Sequence, residues 1–255
     1  MILLKSERDL GLMREAGRIL ANVLARLKEM AQPGVTTAEM DAEADRLIRE
    51  AGAEATFRGQ PGMVAHAAPY PAATCISINE QVIHGIPGQR VLREGDIVSV
   101  DCGVTYKGWI ADAAVTVIAG QGSAEACRLV DTTRRALEAA LSVARAGKHL
   151  HDISFAVQAV AMSEGFGVVR EFCGHGVGRS LHEDPPVPNY GNPGTGPILR
   201  PGMTLAIEPM ITAGSPKVKV LKDGWTVVTQ DGKPAAHFEH SIAITEGEPL
   251  LLTAL

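Results

Sequence analysis

Five polar residues of this chain lie in or beside short apolar runs of the kind that form buried strands. They are four acids and one histidine, namely Asp101, Asp112, His175, Glu208 and Glu239. A carboxylate in such a run is costly to bury unless it is paired or binds a cation. Four carboxylates and one imidazole cannot neutralise one another, whereas divalent metal ions can neutralise them. A set this rich in oxygen suits two ions better than one, so the sequence predicts a two-metal site.

Each acid taken alone has a plainer interpretation, as a strand-end residue or a member of a salt bridge. The set of four favours a common pocket, because one pocket explains them all. Asp101 and Asp112 are eleven residues apart, which fits two paired strands of one hairpin with a turn near residues 106–108. Neighbours on paired strands can share an ion, and bidentate carboxylates can bridge two.

His175 lies in a glycine-rich segment, residues 174–178, in which the missing side chains let backbone and ligand approach closely. The third glycine is misplaced for the dinucleotide-binding pattern G-x-G-x-x-G, and no helix-opening pattern follows it. With four acids available, a nitrogen ligand is the better interpretation of this histidine. His84 and His182 belong to loops near the same segments, and their spacing alone leaves surface and functional roles equally open.

Composition excludes several classes of protein. The net charge of −5 and the absence of any Lys/Arg run predict no nucleic-acid-binding face. The four cysteines form no C-x-x-C pair, which argues against a disulfide framework or a zinc ribbon and favours a reducing compartment. The apolar stretch at the N-terminus is too short, and is followed too soon by charged residues, to be a signal peptide. No apolar run is long enough to cross a membrane. We therefore expect a cytoplasmic protein.

The order of predicted elements is two helices, then strands, then the same again. Apolar periodicity and capping residues predict helices over 7–30, from 36 or 37 to 52, over 123–145 and over 152–164. Strand-like runs cover 74–78, 97–104, 112–119, 203–213, 217–221, 225–229 and 238–245. Residues 55–72 and 183–198 are rich in Pro and Gly and are predicted to be loops.

This order suggests an internal repeat. Residues 93–101 align with 200–208, and residues 112–120 align with 239–247. These alignments place Asp101 on Glu208 and Asp112 on Glu239. Because no linker-like composition separates the halves, we predict an α+β protein with one domain over 1–255, duplicated as roughly 1–120 and 121–255.

Several segments together resemble methionine aminopeptidase over nearly the whole chain. The segments are Cys75-Ile76-Ser77-Ile78-Asn79-Glu80, His84-Gly85-Ile86-Pro87, Val100-Asp101, Asp112, Cys173-Gly174-His175-Gly176-Val177-Gly178, Ile207-Glu208-Pro209-Met210 and Phe238-Glu239-His240. The resemblance is to the short type I form, because the 31 residues from Glu208 to Glu239 leave no room for the insertion that marks type II.

The resemblance implies the pita-bread fold, in which pseudo-twofold halves surround a central curved antiparallel sheet. It also implies removal of the initiator methionine from new chains whose second residue is small. The implied cofactor is a pair of divalent ions, Co, Mn, Fe or Zn, with a water or hydroxide between them. The ligand types do not choose among these metals.

Residue roles follow from the same resemblance. Asp101, Asp112, His175, Glu208 and Glu239 would hold the ions, with Asp112 and Glu239 bridging them. Glu208 would also shuttle a proton, His182 would contact the scissile carbonyl, and His84 would contact the substrate backbone.

The resemblance implies only part of a methionine pocket. Tyr70, Cys75 and Trp225 match its positions, and contact between sulfur and aromatic rings suits a thioether side chain. The chain departs from the family at Ala67, where an aromatic residue is common, and at Leu181, where Phe is common. The 55–68 loop also matches poorly, so the remaining walls of the pocket stay open.

The expected partners are peptides and nascent chains with N-terminal Met, together with transient contact with the ribosome. We expect no membrane partner and a monomer. The alternatives are an Xaa-Pro peptidase of the same fold and a non-catalytic binding protein. The first usually carries an additional N-terminal domain, and the second is expected to have lost metal ligands, all five of which this chain retains.

Overall fold

Capping residues in the sequence set where the helices begin. Ser6 and Asp9 exchange backbone and side-chain hydrogen bonds in a capping box, and Thr36 and Glu39 do the same, which satisfies N–H groups that have no partner within the helix. In this computed structural model, which describes residues 1–62, 64 and 67–254, the helices are α1 (Glu7–Met30), α2 (Thr37–Glu50), α3 (Ala124–Val143) and α4 (Leu150–Ser163). Each begins and ends within two residues of its predicted bounds.

Most strands are short. They are β1 (Glu54–Ala55), β2 (Thr74–Ile78), β3 (Gln81–Ile83), β4 (Ile97–Tyr106), β5 (Trp109–Ile118), β6 (Gly167–Val168), β7 (Gly174–Gly176), β8 (Glu183–Val187), β9 (Thr204–Ile207), β10 (Met210–Thr212), β11 (Val218–Val220), β12 (Val227–Thr229), β13 (Ala235–His237), β14 (Glu239–Ala243) and β15 (Leu250–Leu251). Among the described residues, nine strands form one sheet in the order β1-β4-β5-β14-β9-β7-β8, with β2 also on β4 and β15 also on β14. The smaller sheets are β13-β10-β6 and β11-β12-β3.

The hairpin of β4 and β5 is the longest regular feature of the large sheet. Its strands pair antiparallel from Ile97 opposite Ile118 to Tyr106 opposite Trp109. The turn consists of Lys107 and Gly108, whose φ angles are +51° and +74°. Two left-handed residues give the turn that matches the natural twist of a hairpin. The predicted pairing of the Asp101 and Asp112 strands is therefore confirmed.

The loop predicted over 183–198 is partly wrong, because Glu183–Val187 forms the strand β8. This strand lies at the end of the path through the large sheet and pairs with β7. Proline is tolerated there, since an edge strand has backbone groups that need no ladder partner. In the other predicted loop, 55–72, residues 63, 65 and 66 lie outside the described residues.

Two hydrophobic clusters support the two halves of the large sheet, and the partly buried Val115 of β5 packs against both. The first joins α1 and α2 to β4 and contains Leu20, Leu27, Met40 and Val100. The second joins α3 and α4 to β9 and β14. The strand order is also symmetrical about the β5–β14 pair, with β4 outside one strand and β9 outside the other. This symmetry favours the predicted duplication, while the superposition of the halves and their boundary near residue 120 stay predictions.

Candidate metal centre

Five neighbouring strands of the large sheet bring the four acids and the histidine to one place. Asp101 lies on β4, Asp112 on β5, Glu239 on β14 and His175 on β7, and Glu208 directly follows β9. The strands are adjacent in the order β4-β5-β14-β9-β7. The fold thus assembles residues that are far apart in sequence, as the common-pocket hypothesis requires.

The register of the strands places the acids on one face. Asp101 and Glu239 both pair with Ala114 of β5. Side chains alternate along a strand, so Asp112 projects from the same face as Ala114. His240 pairs with Ile207, which places Glu208 beside Glu239 one position further along. A single register therefore aims four carboxylates into one space.

The distances between the side chains are those of a metal-binding cluster. Ligand atoms of Asp112, His175 and Glu239 all lie within 4.8 Å of one another. His175 Nε2 is 3.8 Å from Asp112 Oδ2 and 3.6 Å from Glu208 Oε1. Asp101 and Glu208 line the same cavity as these three residues. All five predicted ligands therefore surround one space.

The acids are buried and lack partners of opposite charge. Asp101 is 8% exposed, Asp112 4%, Glu208 9% and Glu239 3%. Within the described part of the chain, no lysine or arginine nitrogen lies within 4.0 Å of these four carboxylates. The buried atoms Asp101 Oδ1, Asp112 Oδ1 and Glu239 Oε1 have no hydrogen-bond partner among the described residues. Burial on these terms is costly, and divalent cations bound by the free oxygens would offset that cost.

Burial and mutual repulsion raise the pKa values of the acids. Burial raises the pKa of Asp101 well above its usual range, and the charges of Asp112 and Glu208 raise it further. Burial brings the pKa of Asp112 to about 7. The pKa values of Glu208 and Glu239 also rise, through burial and then the charge of Asp112. A nearby cation favours the ionised form of a carboxyl group, so bound metal ions would lower these raised pKa values.

The histidine of the cluster is in the form that binds metal. Burial lowers the pKa of His175 to about 4, and the charge of His182 contributes to the shift. Its imidazole is therefore neutral near pH 7, with a lone pair free to coordinate. His175 Nδ1 lies 2.9 Å from the Gly176 carbonyl. An N–H at Nδ1 that donates to this carbonyl leaves the lone pair on Nε2, toward the acids.

Replacing Asp112 with Asn in the metal-free protein should raise the midpoint of thermal unfolding, and the gain should grow with pH. The pKa of Asp112 is near 3.8 when unfolded and about 7 when folded, so the folded wild type binds the extra proton in this interval. Its ionisation therefore removes stability as pH rises from about 4 to about 7. Calorimetry after dialysis against chelator measures the difference between variant and wild type. A difference that shrinks with pH would contradict the prediction.

His84 and His182 lie at the same cavity as the five ligands. The His182 ring meets the His175 ring edge to face, with centroids 4.5 Å apart. His84 has a left-handed backbone with φ +58°, which is uncommon for a residue with a side chain. Its ring packs edge-on against Phe172 and Trp225. Both loop histidines that the spacing left open therefore face the cluster.

The three predicted pocket residues, Tyr70, Cys75 and Trp225, line the cavity beside the acids. The Tyr70 and Trp225 rings meet edge to face at 4.9 Å. Trp225 Nε1 donates to the Ala68 carbonyl at 2.9 Å, and Tyr70 Oη lies 3.0 Å from the Thr74 and Gly85 carbonyls. The polar ends of both rings are thus satisfied, which leaves apolar surface toward the cavity.

Further walls of the cavity come from residues that sequence analysis did not assign. They are Phe57, Gln60, Pro61, Ile83, Phe172 and Cys173. Leu181, one of the two departures from the family pattern, also lines the cavity, whereas Ala67 does not. The cavity volume is about 290 Å³, near the lower end for ligand pockets. It therefore suits a single side chain beside the metal ligands.

His237, to which the sequence assigned no role, is also part of this region and is 1% exposed. Its Nε2 lies 3.6 Å from Glu208 Oε2, on the side of that carboxylate away from His175. Burial lowers its pKa to about 3, with a contribution from the charge of His84, so the ring is neutral. The signal that could have found it is its position two residues before Glu239, since alternate residues of extended chain share a face.

Methionine aminopeptidases match this chain over nearly its whole length. A model of metallopeptidase family M24 matches residues 11–246. The methionine aminopeptidase 1 of Bacillus subtilis is 49% identical over 246 residues, covering 96% of each chain. The methionine aminopeptidase of Clostridium perfringens is 49% identical over 255 residues, covering 100% of each chain. The crystal structure of the Thermotoga maritima methionine aminopeptidase has a TM-score of 0.96 at 44% identity, covering 100% of each.

More distant structures share the fold alone. Prolidase from Pyrococcus furiosus has a TM-score of 0.78 at 20% identity, and the match covers 99% of this chain and 65% of that one. The predicted pita-bread architecture is therefore confirmed by close and distant relatives together.

Proposed function

The chain belongs to metallopeptidase family M24, and from this premise we propose that it is a methionine aminopeptidase that removes N-terminal methionine when the second residue is small. One observation carries the proposal. Buried carboxylates, three of which have an oxygen with no hydrogen-bond partner among the described residues, line the same cavity as a neutral histidine, two aromatic rings and the Cys75 thiol. The carboxylates suit cations, and the rings and the thiol suit a thioether side chain.

We propose that Asp101, Asp112, His175, Glu208 and Glu239 hold two divalent cations. Asp112 and Glu239 would contact both ions, because β5 and β14 are the central pair of the four neighbouring strands, β4-β5-β14-β9, that present the acids. Mn, Fe, Co and Zn are all compatible with carboxylates and one imidazole. When bound, such ions activate water for attack and stabilise charge on the scissile carbonyl oxygen.

The chain's own residues hold the substrate and move the proton. Tyr70, Cys75 and Trp225 receive the methionine side chain. We propose that His182, which lies against His175, donates a hydrogen bond to the scissile carbonyl, and that His84 donates one to the substrate backbone. Glu208 directs Oε1 toward His175 and Oε2 toward His237. We assign to its carboxylate the removal of a proton from the attacking water and the delivery of that proton to the departing amine.

We further propose that the substrates are nascent chains, met in the cytoplasm through transient contact with the ribosome, and that the enzyme is a monomer. The initiator methionine is exposed first on a nascent chain, which supports the first point. All four cysteines are free thiols, as in a reducing compartment. No helix among the described residues combines the length and apolarity that a membrane span needs. Sedimentation should give the mass of one chain.

We expect the metal-loaded protein to hydrolyse Met-Ala-Ser at least about tenfold faster than Leu-Ala-Ser or Met-Lys-Ser, because pocket fit and room beyond the scissile bond both discriminate by size. Chelation should abolish the activity, and a panel of Mn, Fe, Co and Zn should restore it. Release of the free amino acid measures the rates. Faster cleavage of an Xaa-Pro peptide would favour the prolidase alternative, and inactivity toward every peptide would favour a binding protein.

A further inference from the structure

A lysine from the N-terminal segment is buried against the segment that carries His182. The side chain of Lys5 is 5% exposed and that of Glu183 is 11% exposed. Lys5 Nζ lies 2.5 Å from Glu183 Oε2 and also donates to the Leu3 carbonyl at 3.2 Å. Glu183 directly follows His182 in the chain. The ion pair therefore joins two parts of the chain that are distant in sequence, next to the cavity.

The second carboxylate oxygen of Glu183 binds the backbone of the residues that precede His182 in the chain. Oε1 accepts hydrogen bonds from the backbone N–H of Arg179 at 2.8 Å and of Ser180 at 3.2 Å. Burial raises the pKa of Glu183, but the hydrogen bonds from Lys5, Ser180 and Arg179 lower it by more, so the net pKa lies below its usual value. An ionised carboxylate thus closes the loop around His182.

Two glycines beside Lys5 leave the space that the lysine occupies, because a side chain at either position would clash with it. A Cβ at Gly178 would lie 2.6 Å from Glu183 Oε1 and 2.7 Å from Lys5 Cε. A Cβ at Gly202 would lie 2.8 Å from the Lys5 carbonyl oxygen, and Gly202 has φ +87°. Lys5 N donates to the Gly202 carbonyl at 2.8 Å. The lysine is therefore fixed at both its backbone and its ammonium group.

We propose that Lys5 and Glu183 are a positioning pair that holds His182 where the proposed aminopeptidase reaction needs it. This inference rests on the proposed function. His182 is followed by Glu183 and preceded by the loop that Glu183 binds, so the backbone on both sides of His182 depends on one carboxylate. A displacement of about 1 Å in such a group can cost about 100-fold in rate. Lys5 and Glu183 act through His182.

Replacing Lys5 with Met should lower kcat by between about tenfold and 100-fold, with KM within about twofold and metal content unchanged. The matched control is Lys107→Met. Lys107 also pairs with a glutamate, Glu15, at 2.7 Å, but both side chains are about half exposed. That variant should keep wild-type kcat. Lys5→Arg, which keeps the charge, should recover most of the lost rate. An unchanged kcat in folded Lys5→Met would overturn the proposal.

A double-mutant cycle separates positioning from general structural support. In a His182→Ala background, Lys5→Met should have almost no further effect on kcat. An equal effect in both backgrounds would show that Lys5 does not act through His182. Lys5→Met leaves the largely buried Glu183 carboxylate unpaired and could unfold for that reason. The double variant Lys5→Met/Glu183→Gln removes both charges, and we expect it to fold and to show the same fall in kcat.

A measurement without substrate keeps this inference distinct from the proposed function. The NMR signal of the His182 Cε1–H, assigned by its loss in His182→Ala, should shift in Lys5→Met and not in Lys107→Met. If the wild type is inactive and the His182 signal still shifts in Lys5→Met, the proposed function is wrong but the positioning role of Lys5 and Glu183 stands. An active wild type without the shift would overturn the positioning pair alone.

Discussion

Asp112→Asn is expected to abolish metal-dependent turnover, with a loss well beyond the roughly 100-fold that removal of an outer partner of a metal ligand costs. Asp112 lies between the other ligands, within reach of both His175 and Glu239, and as a bridge it would contact both ions. Glu239→Gln should have the same effect. Both variants should stay folded, because each removes a carboxylate whose ionised form is destabilised by burial.

The measurements are kcat for Met-Ala-Ser and metal content by elemental analysis, both normalised to folded protein. Asp96→Asn is the matched control, since Asp96 is also a buried acid but accepts hydrogen bonds from Asn79 and from the backbone N–H of Arg93, outside the cavity. It should remain active once folded. Wild-type turnover that persists after complete removal of metal would disprove the two-metal mechanism.

His182→Ala should lower kcat by at least about 100-fold while metal content stays unchanged, as expected for a lost hydrogen-bond donor that acts in the transition state. His84→Ala should behave similarly. The control is His149→Ala, because the His149 side chain contacts the Gly196 carbonyl and lies outside the cavity. Loss of bound metal in the His182 or His84 variant would show that the residue is itself a ligand.

The features of the fold and of the site that could be predicted from the sequence are those that depend on residues close together in the chain. Asp101 and Asp112 stand out because a charged residue in an apolar run conflicts with its surroundings, and the eleven-residue spacing identifies their hairpin. Helix α1 could be bounded closely because Ser6 and Asp9 form a capping box just before a regular apolar period.

The parts that could not be predicted depend on contacts between distant segments. From the sequence alone Lys5 is an ordinary surface residue, and only the folded structure shows that it contacts Glu183. His237 faces Glu208 only because β13 pairs with β10. Strand β8 contains two prolines, and only its place at an edge of the sheet lets it form. Part of the cavity wall, Phe57, Gln60 and Pro61, comes from the 55–72 loop, whose Gly- and Pro-rich composition carries no periodic signal.

The contribution of one ligand from each of five neighbouring strands has a consequence for the biogenesis of the enzyme. Asp101 and Asp112 belong to a hairpin that can form early, since its strands are close in sequence. Glu239 belongs to β14, near the C-terminal end of the chain, and pairs with β5 and β9 across long loops. Those long-range contacts require the costly closure of large loops. Glu239 is therefore the last of the five ligands to be synthesised, and a nascent chain that ends before β14 lacks part of the metal centre.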